Sequence, residues 1–252
     1  MLDAIIWGLI QGLTEFLPVS SSGHLVLIPA LLDRPGPDLA TNAMLHLGTL
    51  GAVLVYYRAD IAGMAKFDRP ARKLITLILI GTVPAVVLGL LFEDKIEEFV
   101  SEPTKVAFML IVTGAVLLAT TQLRLGDRRA EDIGPLDGFL TGLAQSLALI
   151  PGISRSGMTI SAGLARGMER TEAARFAFLL GIPVIAGAGS LEIVEVLRSG
   201  ESIPSTVWVG VVVAGLSGYA AIAVLLKLLT RVGLAPFGLY CVTFGAFAIY
   251  VL

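Results

Sequence analysis

Apolar residues run along this chain in blocks too long for the core of a water-soluble domain. Six of them, 39–57, 74–92, 106–123, 176–197, 207–226 and 233–252, would each rise roughly 30 Å as helices, the thickness of a bilayer's hydrocarbon. Two others, 4–17 and 138–150, would rise only about 20 Å. Both carry polar residues, and both run into a turn of proline, glycine and serine before another short helical stretch. Such segments predict re-entrant hairpins, whose irregular tips survive at membrane depth only inside protein or beside a wet cavity. The expected fold is an all-α polytopic membrane protein, with six transmembrane helices and two re-entrant helical hairpins in one membrane domain over residues 1–252.

The two short stretches are copies of one another. Asp3, Gly8, Leu9, Gln11, Leu13, Ser20, Ser22 and Gly23 recur at one constant offset as Asp137, Gly142, Leu143, Gln145, Leu147, Ser154, Ser156 and Gly157, and Gly81 meets Gly215 at the same offset. A duplicated unit of one hairpin and three spans crosses the membrane an odd number of times. The second copy must enter from the opposite side, so the repeat, about 1–125 and about 135–252, is inverted in topology.

Composition agrees with a membrane home. The chain is 56% hydrophobic and 15% charged, against about 25% charged in soluble domains. A net charge of -2 without a basic tract gives nucleic acid nothing to bind. The single cysteine, Cys241, excludes an intrachain disulfide and a cysteine-based metal site. The N-terminal stretch lacks a basic flank and is broken by Gln11 and Glu15, which is unlike a cleavable signal peptide. With the N-terminus outside, inner loops collect thirteen of the 18 lysines and arginines, and outer loops keep Arg34, Lys95, Lys105 and Arg198. Glu93, Asp94, Glu97, Glu98 and Glu102 make the loop after the second span acidic. The positive-inside rule then puts both termini, and the opening of any central site, on the outer face of the cell membrane. The sequence leaves a homodimer open.

Candidate chemistry gathers at the two hairpin tips. Gln11 and Glu15 stand four residues apart, on one helix face, and are followed by Pro18, Ser20, Ser21, Ser22, Gly23 and His24. The second tip, Pro151, Gly152, Ile153, Ser154, Arg155, Ser156, Gly157, Met158 and Thr159, answers with an arginine. Ionisable groups at membrane depth mark a site, and a guanidinium fork suits phosphate. Ser20, Ser22, Ser154, Ser156 and Thr159 would add hydroxyls, and the helix starts would add backbone N–H groups. Ser21 or Ser22 with His24 would supply a nucleophile and a proton carrier. Glu15 and the amide oxygen of Gln11 offer the oxygen ligands that Mg²⁺ or Ca²⁺ takes. This constellation fits hydrolysis of a phosphorylated lipid.

Plainer readings stand beside it. Glu15 and Arg155 would also serve as a buried structural ion pair, the serines as caps, and His24 as a hydrogen bonder at a helix end. His46 reads as packing inside a span, Glu192 and Glu195 as interfacial residues, and Cys241 as core. Inverted repeats with broken helices are also a transporter architecture, so movement of a polyprenyl phosphate between leaflets is the second function class.

The stretches Gln11 to His24 and Pro151 to Thr159 resemble the two signature motifs of the undecaprenyl-diphosphate phosphatase family, also called bacitracin resistance proteins, and the similarity runs the length of the chain. The resemblance implies hydrolysis of a C55 polyprenyl diphosphate to the monophosphate, which returns the carrier lipid to cell-wall synthesis. It implies Glu15 as the family's acidic residue, Ser21 as nucleophile, His24 as proton-transfer residue and Arg155 as phosphate ligand. Gln11 departs from a second carboxylate and weakens the metal site. The repeat offset sets Ser21 opposite Arg155, so the two are expected to face one another across a pit, roughly 4 to 8 Å apart with a phosphate between them.

Overall fold

Leu17 precedes Pro18 and takes an extended conformation, φ -64° and ψ 141°, because the proline ring disfavours the helical region in the residue before it. That ends helix α1, Leu2–Phe16. Ser20 then turns the chain through positive φ, 68°, and its hydroxyl accepts from Gly23 N at 3.2 Å to start α2, Ser21–Leu31. The second hairpin is built the same way, from α7, Pro135–Leu147, and α8, Arg155–Ala165. Ser154 caps α8 by accepting from Gly157 N at 3.1 Å. The left-handed turn here falls on Gly152, φ 93°, where a Cβ would lie 2.3 Å from the Val106 carbonyl oxygen.

The computed structural model describes residues 1–92, 99, 102–124, 126–199 and 203–252. Between the hairpins run α3, Leu39–Tyr56, the short α4, Arg58–Met64, α5, Arg69–Leu91, and α6, Pro103–Ala119. After the second hairpin come α9, Arg170–Ser199, α10, Val207–Val232, and α11, Ala235–Val251. Asp38 and Asp68 cap α3 and α5 by accepting from Thr41 N and Ala71 N. Gly233, at φ 69°, closes α10. Among the described residues the architecture is helical throughout, apart from one isolated β-bridge between Arg128 and Met168.

Five helices among the described residues are long and apolar enough to cross a membrane, spanning Leu39–Tyr56, Arg69–Leu91, Pro103–Gln122, Arg170–Ser199 and Val207–Val232. The expected sixth span, 233–252, holds a helix of 17 residues, Ala235–Val251. At about 25 Å it stands at the lower limit of spanning length, because Gly233 breaks the chain and Pro236 restarts it. The expected acidic stretch Glu93, Asp94, Glu97 and Glu98 lies outside the described residues.

Helix α1 packs against α10, and α7 packs against α5. Glycine makes both approaches close. A Cβ on Gly8 would fall 2.6 Å from the Gly210 carbonyl oxygen, and one on Gly142 would fall 2.2 Å from that of Gly81. Side chains on α6 and α11 pin the tips. Thr113 Oγ1 donates to Gly152 O at 2.9 Å and accepts from Ser154 N at 3.1 Å. Cys241, core as expected, lies with Sγ 3.6 Å from Pro18 O. Ser156 Oγ donates to Leu17 O at 3.1 Å, so the two tips touch.

Candidate functional site

Where the tips meet, one carboxylate collects three partners. Glu15 projects from the last turn of α1, with its side chain 7% exposed. Its Oε1 accepts from Arg155 Nη2 at 2.8 Å, its Oε2 from Ser21 Oγ at 2.6 Å, and Oε2 again from Gln11 Nε2 at 3.2 Å. Ser21 and Arg155 each open a helix, so the unpaired N–H groups of two first turns lie beside them. Bonded to the same carboxylate, Ser21 Oγ and Arg155 Nη2 are no more than about 8 Å apart. Helix α9 supplies the floor under the guanidinium. A Cβ at Gly181 would stand 1.6 Å from Arg155 Nη1, so only glycine leaves the arginine where it is.

The other hydroxyls of the tips are turned toward the protein. Ser20 and Ser154 are caps, and each also meets the serine two residues on, Ser22 and Ser156, at 3.2 Å. Thr159 Oγ1 donates back to the Arg155 carbonyl at 2.8 Å, and Ser156 donates to Leu17 O. Ser21 alone among these hydroxyl side chains is bonded to the charged cluster. The sequence expects all of them around a phosphate; in the structure Ser156 and Thr159 donate to backbone carbonyls.

His24, one turn on from Ser21 in α2, bonds to other partners. Its Nδ1 lies 2.8 Å from Ser20 O, its Nε2 lies 2.7 Å from the Tyr240 hydroxyl, and its ring stacks on Phe244 with centroids 5.1 Å apart. Both nitrogens are thus spent on a carbonyl and a phenol, which fits the reading of a hydrogen bonder holding α2 to α11.

Three residues read from sequence as packing or interface, or not singled out at all, form a second polar group near the cluster. Asn42 and His46 on α3 meet Glu192 on α9. Asn42 Nδ2 donates to Glu192 Oε1 at 3.2 Å, and His46 Nδ1 lies 3.0 Å from Asn42 O and 3.4 Å from Glu192 Oε2. The i, i+4 spacing of Asn42 and His46 was legible in the sequence, but the partner 150 residues away was not. Gly181 left no signal beyond being a glycine inside an apolar helix.

Two clefts lie elsewhere, at opposite ends of the helices. One of about 620 Å³ is lined by Asp60, Lys66, Arg69, Lys73, Glu131 and Arg175 among others, and one of about 540 Å³ by Asp3, Trp7, Arg34 and Thr41 among others. Neither includes Glu15, Ser21 or Arg155. Arg155 and Ser21 are already bonded to Glu15, so an anion that takes the guanidinium or the hydroxyl competes with that carboxylate. As oxygen donors for a cation the tips offer the Glu15 carboxylate and Gln11 Oε1, a buried acceptor with no partner. No group of three or more histidine, cysteine, aspartate and glutamate side chains among the described residues is arranged to hold a metal.

A family model described as bacitracin resistance protein BacA matches residues 4–247. An undecaprenyl-diphosphatase of Halothermothrix orenii is 42% identical over 241 residues, covering 94% of this chain and 92% of that protein. That of Rubrobacter xylanophilus is 42% identical over 255 residues, with 95% and 94% covered. That of Pelobacter propionicus is 39% identical over 267 residues, with 100% and 97% covered.

Proposed function

This chain belongs to the bacitracin resistance protein BacA family, and we propose that it hydrolyses undecaprenyl diphosphate to undecaprenyl phosphate and inorganic phosphate at the junction of its two hairpin tips. One observation carries the assignment: Ser21 and Arg155, a nucleophile and a phosphate ligand, share the carboxylate of Glu15. At rest that carboxylate is neutralised by the guanidinium. The terminal phosphoryl group of the lipid competes for Arg155 as a bidentate partner, and Glu15 is released to act as base.

Ser21 Oγ then attacks the terminal phosphorus while its proton passes along the existing 2.6 Å contact to Glu15. The bond to the bridging oxygen breaks, and its electron pair leaves with the lipid monophosphate. Arg155 and the open N–H groups at the starts of α2 and α8 hold the equatorial oxygens, where charge develops. Water then attacks the phosphoserine, and Ser21 Oγ departs and regains the proton held on Glu15. One water proton stays on the departing phosphate and the other is released. His24 keeps α2 seated on α11 and takes no part in this transfer. Glu15 and Gln11 Oε1, a buried acceptor with no partner, would be the protein oxygens that hold a Mg²⁺ or Ca²⁺ ion, which would offset phosphate charge.

The finer architecture accords with the same reading. The hairpins are re-entrant and the repeat is inverted, which is supported by the matched caps of Ser20 and Ser154 and the matched glycine contacts of α1 on α10 and α7 on α5. The distribution of lysine and arginine supports outer termini. The lipid tail stays in the bilayer beside the tips.

Release of inorganic phosphate from a polyprenyl diphosphate by purified protein in detergent tests the function. Turnover is expected in the wild type and loss of it in Ser21→Ala. Full activity after exhaustive chelation would remove the metal from the scheme. A wild-type protein that binds the lipid without releasing phosphate would leave lipid transport as the reading.

A further inference from the structure

The chain has two histidines, and the fold treats them differently. Both nitrogens of His24 are engaged within the protein. His46 has one engaged edge. Its Nδ1 faces the Asn42 carbonyl and the Glu192 carboxylate, and Glu192 is held in turn by Asn42 Nδ2. The protonated ring, the form that pairs with the Glu192 carboxylate, has a donor at each nitrogen. Nε2 has no partner among the described residues. The His46 side chain is 22% exposed, and a charged donor in an apolar helix with nothing to donate to is costly unless an acceptor arrives.

Helix α9 sets the position of that donor. Gly181 carries the Arg155 guanidinium, and the Cβ position of Gly189 lies 3.8 Å from His46 Cβ. Eight residues along a helix are about 12 Å. Glu15, bonded to Arg155, lies within electrostatic reach of His46. Two cationic donors are therefore ranged along one helix with a gap between them. A single phosphoryl group bound at Arg155 would leave the second donor unused, whereas two linked phosphoryl groups extend from one toward the other.

We propose that His46, held by Glu192 and Asn42, donates from Nε2 to the second phosphoryl group of the substrate, the one that stays with the lipid, and so sets a preference for diphosphate over monophosphate. This rests on the reading of the tips as a lipid diphosphatase. Arg155 and Ser21 handle the phosphoryl group that is transferred, and His46 measures whether another is attached to it.

The test compares wild type, His46→Leu and His46→Gln in phosphate release from a polyprenyl diphosphate, with the monophosphate of the same tail as competitive inhibitor. Loss of a charge-assisted hydrogen bond predicts a KM about tenfold higher in His46→Leu, with the loss falling on KM and not on kcat. Inhibition by the monophosphate is expected to be unaltered. Glutamine keeps an N–H donor of similar reach, and His46→Gln should recover most of the lost affinity. Glu192→Gln, which loosens the ring, should raise KM in the same direction and keeps the question decided where the leucine variant does not fold. An unchanged KM in His46→Leu, equal weakening of diphosphate and monophosphate, or equal losses in the leucine and glutamine variants would overturn the proposal. Absence of phosphate release by the wild type would instead defeat the diphosphatase reading itself.

Discussion

The first hairpin, α1 and α2, and the second, α7 and α8, have the same backbone plan and opposite chemistry. In each, a serine caps the returning helix and meets a second serine two residues on. At matched positions the side chains diverge. Glu15 stands where the second copy has Leu149, Ser21 where it has Arg155, and His24 where it has Met158. The matched glutamines register that divergence. Gln11 donates to Glu15, whereas Gln145, 2% exposed and opposite no carboxylate, has neither amide atom paired. Duplication supplied two tips that approach each other. The carboxylate and the serine bonded to it lie on one tip and the guanidinium on the other, so the cluster needs both hairpins.

The contrast breaks hardest at Arg155. Arg155→Lys keeps the charge and loses the planar fork, and a fall in kcat of about 10²- to 10³-fold is expected from the lost transition-state contacts. Phosphate release on a folded variant measures it, and near-wild-type turnover would make the arginine a structural partner of Glu15 only. Gly181→Ala probes the same residue from behind. The added Cβ pushes the guanidinium away from Glu15, and activity should fall about tenfold while the melting temperature moves little, since the tip of a flexible side chain can yield. Stability, not activity, is the expected casualty if α9 itself has to shift.

The smallest effect sharpens the comparison at the other end of the hairpins. Asp137 accepts from Gly134 N at 2.9 Å, Arg128 Nη2 at 2.9 Å and Arg166 Nε at 2.6 Å, while its counterpart Asp3 is exposed. Burial by itself would raise the Asp137 carboxyl, but the Gly134 N–H and the two guanidinium groups outweigh it and hold the group below the usual aspartate range. A depressed folded pKa confers stability that is present above the unfolded value of about 4 and is lost as pH falls through the folded one. Asp137→Asn should cost about 1 kcal/mol, or about 2 to 4 °C in melting temperature, because both arginines are substantially exposed. The gap from wild type should close at acid pH. Asp3→Asn should melt with the wild type throughout.

Helix existence was legible where apolar runs were long, and the breaks were legible at Pro18, Gly152 and the capping serines, whose backbone effects are local. The last helix is shorter than its apolar run, because Gly233 and Pro236 bound it where hydropathy alone treats the run as continuous. The convergence of Glu15, Ser21 and Arg155 could be expected from the matched motifs. The hydrogen-bond partners of Ser156, Thr159 and His24 could not, because a hydroxyl or imidazole next to a motif is free in sequence and is engaged only when a carbonyl or phenol reaches it in the fold.

By itself the sequence determined a membrane-spanning helical chain, its internal duplication and two polar tips, since each rests on hydropathy, periodicity or local backbone preference within a few turns. The tertiary structure decided which polar groups are spent and which remain. Glu192 reaches His46 from a distant part of the chain, Tyr240 occupies His24, and Gly181 makes room for Arg155. Those contacts depend on how α3, α9 and α11 come together around the tips, and a hydrogen bond's short range makes that assembly, not the spacing of residues, the arbiter of which side chain is left to meet a phosphate.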